Sequence, residues 1–209
     1  NVTKTWSNTA EGVVFTLRLP RIIGAVLVGS ALSLSGAAYQ GVFKNPLVAP
    51  DLLGVSSGAC VGASVAILLH LNSFGVQAMA FVAGILAVGL TLFIPRLIKN
   101  TNMTMLVLSG IIVKGIMDSV MGIIKYVADP ETELQSITYW QLGSLTKVLP
   151  KDLFTVGPVI VAASVIIFLL RWRINILSLG DREAKTLGVS VTVVRNFIII
   201  CATLLTASA

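Results

Sequence analysis

The chain has 209 residues, of which 56% are hydrophobic and 11% charged, with a net charge of +6 and a mean hydropathy of +0.93. Soluble domains carry about 25% charged residues, so the composition excludes an ordinary soluble globular fold and indicates an integral membrane protein. The basic excess is scattered between apolar spans, which points to loops at a membrane face and away from nucleic acid.

Arg18-Leu19-Pro20-Arg21 opens the first apolar run, and residues 22–43 then pass without a charge. At 1.5 Å per residue that run reaches roughly 33 Å, the thickness of a bilayer's hydrocarbon core. Pro20 suits a helix start, while Pro46 and Pro50 in Lys44-Asn45-Pro46-Leu47-Val48-Ala49-Pro50-Asp51 forbid continuation. Arg18 and Arg21 stand one turn apart at this mouth, placed either to snorkel to the interface or to grip acidic groups of an outside partner.

Residues 52–95 hold no charged side chain apart from His70, too long a stretch for one span. The turn Asn72-Ser73-Phe74-Gly75 divides it into expected spans of about 53–71 and 75–95. Gly54, Gly58 and Gly62 repeat every four residues beside Ser57, Ala59 and Ala63, a smooth face for close helix packing. Gly54-Val55-Ser56-Ser57-Gly58 also matches the G-x-S-x-G pattern of serine hydrolases. That motif needs a preceding strand and a nearby His, whereas Pro50-Asp51 precedes it here and His70 lies far along the helix. Small-residue packing accounts for it better, and no catalytic residue is expected.

A fourth span, about 103–125, is interrupted by Lys114 and Asp118. Four residues apart, they can meet on one helix face, where they would neutralise each other or serve ion coupling. The polar stretch 126–151, with Tyr139-Trp140, suits a short interfacial helix; about 153–171 and 193–209 make a fifth and a sixth span. Residues 171–195 read as a charged loop, within which Gly180-Asp181-Arg182-Glu183-Ala184-Lys185-Thr186-Leu187-Gly188 patterns as a short helix. Asp181 and Glu183 occupy its first turn, and Ala184 and Leu187 share one face turned toward a partner, with Gly188 to end it. Cys60 and Cys201 fall in separate apolar segments, so neither a disulfide nor a metal site follows. With no initiator Met and an apolar last residue, the chain is expected to be an incomplete single domain cut at both ends.

Basic residues set the orientation. Placing 44–51, 96–102 and 174–195 in the cytoplasm, and 1–17, 72–75 and 126–151 outside, favours the inner side modestly. The chain has no G-x-x-x-x-G-K-[ST], so any ATP energy must enter through a partner. The expected fold is all-α, a polytopic transmembrane helical bundle with about six spans.

Several segments together carry a resemblance. Leu17 to Ala63, LRLPRIIGAVLVGSALSLSGAAYQGVFKNPLVAPDLLGVSSGACVGA, closely resembles the permease subunits of ABC importers for iron-siderophores, haem and cobalamin. Leu106-Val107-Leu108-Ser109-Gly110, Tyr139-Trp140-Gln141-Leu142-Gly143-Ser144-Leu145 and the Gly180–Gly188 segment match in the same order. The resemblance implies a ten-span fold in a bacterial inner membrane, of which this chain holds spans two to seven. It implies a homodimer or pseudo-dimer in lipid, two cytoplasmic ATPases that use ATP and magnesium, and an external binding protein. No cofactor would be bound by the permease itself. It further implies that Arg18 and Arg21 dock the binding protein. Asn45 and Leu47, with Thr104, would form a cytoplasmic gate, Thr104 less securely because Asn102-Met103-Thr104-Met105 departs from the family's usual sequence. Asp181 to Gly188 would seat in an ATPase cleft. From other classes, an ion-gradient carrier would rely on Lys114 and Asp118, and an intramembrane hydrolase on Ser56.

Overall fold

The computed structural model describes residues 11–99 and 102–209. Residues 1–10 and 100–101, parts of the expected outer segment and inner basic turn, lie outside the described residues, as does the side chain of Lys147. The described residues contain helices and no strand: α1 (Leu19–Phe43), α2 (Val55–Leu68), α3 (Ser73–Leu97), α4 (Met103–Val127), α5 (Glu133–Leu142), α6 (Pro150–Leu169), α7 (Arg171–Leu179), α8 (Asp181–Thr186) and α9 (Val191–Ser208). Among the described residues five helices are long and apolar enough to cross a membrane, α1 with its extension, α3, α4, α6 and α9.

Pro20 does not begin the first helix. A π-helical turn, Val13–Arg18, leads directly into α1, and the Leu19 amide donates to the Val14 carbonyl. The widened turn accommodates a ring that removes a donor and crowds the carbonyl four residues back. Val13–Phe43 is therefore one helix of 31 residues, about 46 Å long.

The second expected span is the larger correction. α2 has only 14 residues, about 21 Å, and residues 44–54 before it are not helical. In segment 171–195, read as a charged loop, the expected short helix is present as α8, and an unexpected helix, α7, precedes it with Ile176 and Leu177 buried in the bundle.

Helices α2 and α3 pack as an antiparallel pair around the expected glycines. A Cβ on Gly58 would lie 2.6 Å from Ala87 Cβ, and one on Gly62 would fall on the Met79 carbonyl oxygen. Gly54 serves differently: it sits at φ +77° just before α2, and a Cβ on it would lie 3.4 Å from the Lys114 amide nitrogen of α4. Asn72 caps α3 by accepting from the Gly75 amide at 2.8 Å. On the other side of the core, α1 meets α9 through hydroxyls, the small-residue and Ser/Thr contacts favoured between helices in lipid. Ser35 Oγ donates to the Ala202 carbonyl at 3.0 Å, and the Tyr39 and Thr203 hydroxyls lie 3.0 Å apart. Tyr39, Leu53, Ile198, Ile199 and Leu205 are fully buried around this seam.

Contacts sort the connections into two ends. At one, Val148 packs on Gly24, Lys125 Nζ donates to Gln141 at 2.6 Å, and His70 Nε2 lies 3.5 Å from Glu133. At the other, Lys44 and Arg195 meet Asp181, while Pro95, Arg96 and Met103 share a cleft with Thr192 and Arg195. The connections expected on one side thus cluster together and those expected on the other side do likewise, and the two ends are called inner and outer after the expected orientation.

Candidate pathway and coupling site

The non-helical segment 44–54 folds back into the bundle. A Cβ on Gly36 would touch Pro50 at 3.5 Å, and Gly36 lies seven residues before the end of α1, about 10 Å along the helix. A Cβ on Gly110 would fall on the Leu52 carbonyl, and Gly110 lies seven residues after the start of α4, again about 10 Å. Gly54 reaches the level of Lys114, roughly 16 Å in. The segment thus climbs from the inner end, and α2, at about 21 Å, completes the crossing.

Irregular backbone at that depth must find partners inside the protein. Gln40 Nε2 donates to the Pro46 carbonyl at 3.0 Å and the Val48 carbonyl at 3.4 Å. Asn45 Oδ1 accepts from the Leu47 amide at 2.9 Å, a side-chain-closed turn that leaves Leu47 89% exposed at the tip. Thr91 Oγ1 donates to the Leu53 carbonyl at 3.1 Å. Thr104 is also exposed, in the first turn of α4 at the inner end. Asn45, Leu47 and Thr104 therefore share this end with free side-chain surface.

Asp51 finishes the segment. Its Oδ1 accepts from the Ser56 amide at 2.9 Å in the first turn of α2, and its Oδ2 lies 2.5 Å from Lys114 Nζ. A carboxylate at a helix N-terminus satisfies orphan amides and the dipole together. Lys114 is therefore paired with Asp51 and not with Asp118, as its sequence neighbourhood suggested. Asp118 is exposed and makes no ion pair among the described residues. An ion-coupling site shared by Lys114 and Asp118 loses its geometry. Ser56 likewise donates its backbone to a cap, while His70 lies past the far end of α2 beside Glu133, so no catalytic dyad forms around Ser56.

At the inner end, α8 is anchored to the bundle. Ala184 is fully buried and Val189 packs on the same core. The helix ends at Thr186, and its C-terminus is closed by Val189 N donating to Ala184 O at 3.0 Å and Gly188 N to Lys185 O at 3.0 Å, with Gly188 at φ +75°. This paired closure is the Schellman arrangement, in which the positive φ requires glycine. Ala184 faces the core of the bundle, which corrects the expectation that it faces a partner with Leu187. Arg182, Glu183 and Lys185 are exposed, and Leu187 is 61% exposed. Leu179, at the end of α7, is 69% exposed near them, an apolar position the sequence pattern did not single out.

Asp181 joins three elements. Lys44 Nζ lies 3.1 Å from its Oδ1, and Arg195 Nη2 donates to both carboxylate oxygens at 2.8 and 2.9 Å. The hydrogen bond from Arg195 outweighs the opposing desolvation and, with a lesser contribution from Lys44, holds the Asp181 carboxyl below its ordinary value. Sequence reading placed Asp181 on the short helix but gave no sign of either partner.

At the outer end Arg18 is exposed and Arg21 half-buried. Arg21 Nε is buried with no acceptor, and neither arginine makes an ion pair among the described residues. Both lie within the continuous helix Val13–Phe43, beyond its first turn.

A family model described as the FecCD transport family matches residues 1–209. The chain belongs to that family. A molybdate import system permease protein of Haemophilus influenzae is 36% identical over 190 residues, covering 90% of this FecCD-family chain and 56% of the relative. A cobalamin import system permease protein of Halobacterium salinarum is 35% identical over 202 residues, covering 96% and 54%. A solved structure of a metal-chelate type ABC transporter in an inward-facing conformation superposes with TM-score 0.91 at 33% identity, over 100% of this chain and 66% of that one. The chain thus spans little more than half the length of the curated relatives it matches. Family and fold agree with the five apolar helices: this is a multi-pass, all-α membrane protein.

Proposed function

We propose that the whole protein is the permease subunit of an ATP-driven importer in a bacterial inner membrane, and that this chain supplies its gate segment, packing core and coupling helix. The observation that carries the reading is the fit of the entire chain, at TM-score 0.91, onto a metal-chelate type ABC transporter. It works as a homodimer or pseudo-dimer around a central path, with two cytoplasmic ATPases supplying hydrolysis of magnesium-bound ATP and an external binding protein delivering the cargo. The cargo is an iron chelate (siderophore or haem) or cobalamin; the molybdate relative extends the candidates to small oxyanions.

Each end has its part. Arg18 and Arg21 offer guanidinium forks to carboxylates of the binding protein, and bidentate geometry fixes register as well as attraction. Asn45 and Leu47 at the tip of the folded-back segment, with Thr104, narrow the inner end across the dimer axis. Leu187 inserts an apolar anchor into an ATPase cleft while Arg182, Glu183 and Lys185 orient the rim. Ala184 holds α8 to the permease, so ATPase motion is passed on and not dissipated in a loose loop.

The test is uptake by the full-length permease reconstituted in liposomes with its ATPases and binding protein. Labelled ferric chelate, cobalamin and molybdate are offered separately. ATP-dependent uptake of one of them, insensitive to a protonophore, is the expected result. Uptake driven by an ion gradient without ATP would overturn the reading.

A further inference from the structure

The inner end contains one carboxylate with two cationic partners on different helices. Asp181 opens α8, Lys44 closes α1 and begins the gate segment, and Arg195 lies in the first two turns of α9. From these three positions we infer that Asp181 is a positioning residue that ties the coupling helix to the gate segment, so that displacement of α8 is delivered to residues 44–54 through Lys44. The inference rests on the importer reading only for what moves α8; the tie itself is a property of the permease.

The backbone at Lys44 supports a role beyond surface charge pairing. Lys44 is in the left-handed region at φ +52°, uncommon for a residue with a Cβ. Its amide still donates to Gln40 O, and Asn45 N donates to the same carbonyl at 3.3 Å. The left-handed residue therefore both ends α1 and begins the fold-back, and its ammonium is spent on Asp181. Observed strain at such a junction is the kind that folded structures retain at moving parts. Asparagine or glycine would relieve the backbone there, but neither could reach Asp181 with a charge.

The other partner sets direction. Arg195 is nearly buried, 13% exposed in its side chain, and its Nη2 donates to both oxygens of Asp181. Its stem rises from α9, whose Ala202 and Thr203 hold α1 through Ser35 and Tyr39. α9 and α1 thus form a frame, fixed along their length by hydroxyl contacts. Within it the lysine contact is the half-exposed member, 36% and 48% exposed at the two side chains. A single exposed pair contributes little stability. Here Lys44 makes the ion pair that, among the described residues, joins α8 to the segment carrying Asn45 and Leu47, so its effect is read in mechanics and not in melting temperature.

Two measurements on the full-length permease test this. The first needs no transport: amide hydrogen exchange of the purified permease over 44–54 and 180–190. Asp181→Asn and Lys44→Gln are each expected to speed exchange in both segments by roughly tenfold, because each loses a shared restraint. Exchange that rises only in 180–190, or in neither segment, would overturn the tie. The second measures transported cargo per ATP hydrolysed in the reconstituted importer. Asp181→Asn is expected to lower that ratio about fivefold while the ATPase still co-purifies. The exchanged pair Asp181→Lys with Lys44→Asp is expected to recover part of it, less than fully because Arg195 then faces a lysine. An unchanged ratio, or loss of the ATPase from the complex, would overturn the tie. If ATP drives no uptake even with the unaltered permease, the importer reading falls and the exchange result alone decides the tie.

Discussion

The cations around Asp181 at the inner end and the arginine pair at the outer mouth of α1 are treated in opposite ways. At the inner end Lys44 and Arg195 are both spent on Asp181, and Lys114, deeper in, is spent on Asp51. At the outer end Arg18 and Arg21 make no ion pair among the described residues. Charges satisfied within the chain restrain its own parts; charges left open are available to something outside. On the proposed reading the inner cluster transmits and the outer arginines receive, so substitutions at the two places should fail differently.

The largest effect should come from the support of the inner segment. Gly110 lets the Leu52 carbonyl rest against α4, and no rotamer change can relieve a Cβ placed on a backbone oxygen. Gly110→Val should cost about 3 kcal/mol or more and displace the whole segment. Thermal unfolding in detergent would read this as loss of a cooperative transition, whereas Gly89→Val, with open space around its Cβ, should melt near the parent. Similar melting of the two variants would show that the segment does not depend on this approach.

Asp51→Asn should cost less, about 1–2 kcal/mol, because it strands the Lys114 ammonium while both side chains keep some access to solvent. The double change Asp51→Asn with Lys114→Gln should recover part of the loss, since it leaves no unpaired charge. If the double variant is no better than Asp51→Asn alone, the capping of Ser56, and not the pair, is what matters at Asp51.

Most of the bundle was legible because lipid-spanning segments must be long and nearly free of charge, a constraint that marks α3 and α6 directly and still finds α4 and α9 despite Lys114, Asp118 and Arg195. Gly58 and Gly62 were legible for the same local reason, since a four-residue repeat lies on one helix face. Residues 52–54 misled because apolar residues look alike whether helical or threaded between helices. The chemistry that reveals the fold-back, Thr91 donating to Leu53 O and Gly110 yielding to Leu52 O, comes from residues nearly 40 or more positions away. Lys114 misled similarly: helical spacing nominated Asp118, and Asp51 lies 63 residues back in a segment read as an inner loop. Ala184 shows the limit for short helices, where periodicity finds a face but not whether it meets the bundle or a partner.

Asp181 gives a smaller, pH-dependent effect. Its folded carboxyl is held below the ordinary value near 3.9 by Arg195 and then Lys44. A depressed carboxylate adds stability above its unfolded value and loses it as pH falls through the folded value. The melting difference between the parent and Asp181→Asn should therefore be steady above about pH 5 and close progressively toward pH 3. A difference that persists unchanged to pH 3 would mean the asparagine acts through packing and not through charge.

The smallest effect on stability, and the sharpest test of the comparison, belongs to the outer arginines. With no ion pair to lose among the described residues, the exposed Arg18→Glu should shift stability within about 0.5 kcal/mol, the ordinary range for surface positions, and the half-buried Arg21→Glu by somewhat more. Function should respond far more. If these guanidinium groups receive a binding protein, charge reversal sets carboxylate against carboxylate, and like charges across an interface cost several kcal/mol. Stimulation of ATP hydrolysis by the binding protein should vanish while basal hydrolysis continues, because the inner contacts through Leu187 and Asp181 are untouched. Raising salt should weaken stimulation of the parent as well, since exposed pairs are screened. Arginines that merely snorkel to the membrane surface would leave stimulation unchanged on reversal and insensitive to salt. In that case the outer end would present no electrostatic docking site, and the contrast between transmitting and receiving ends would reduce to a difference in burial.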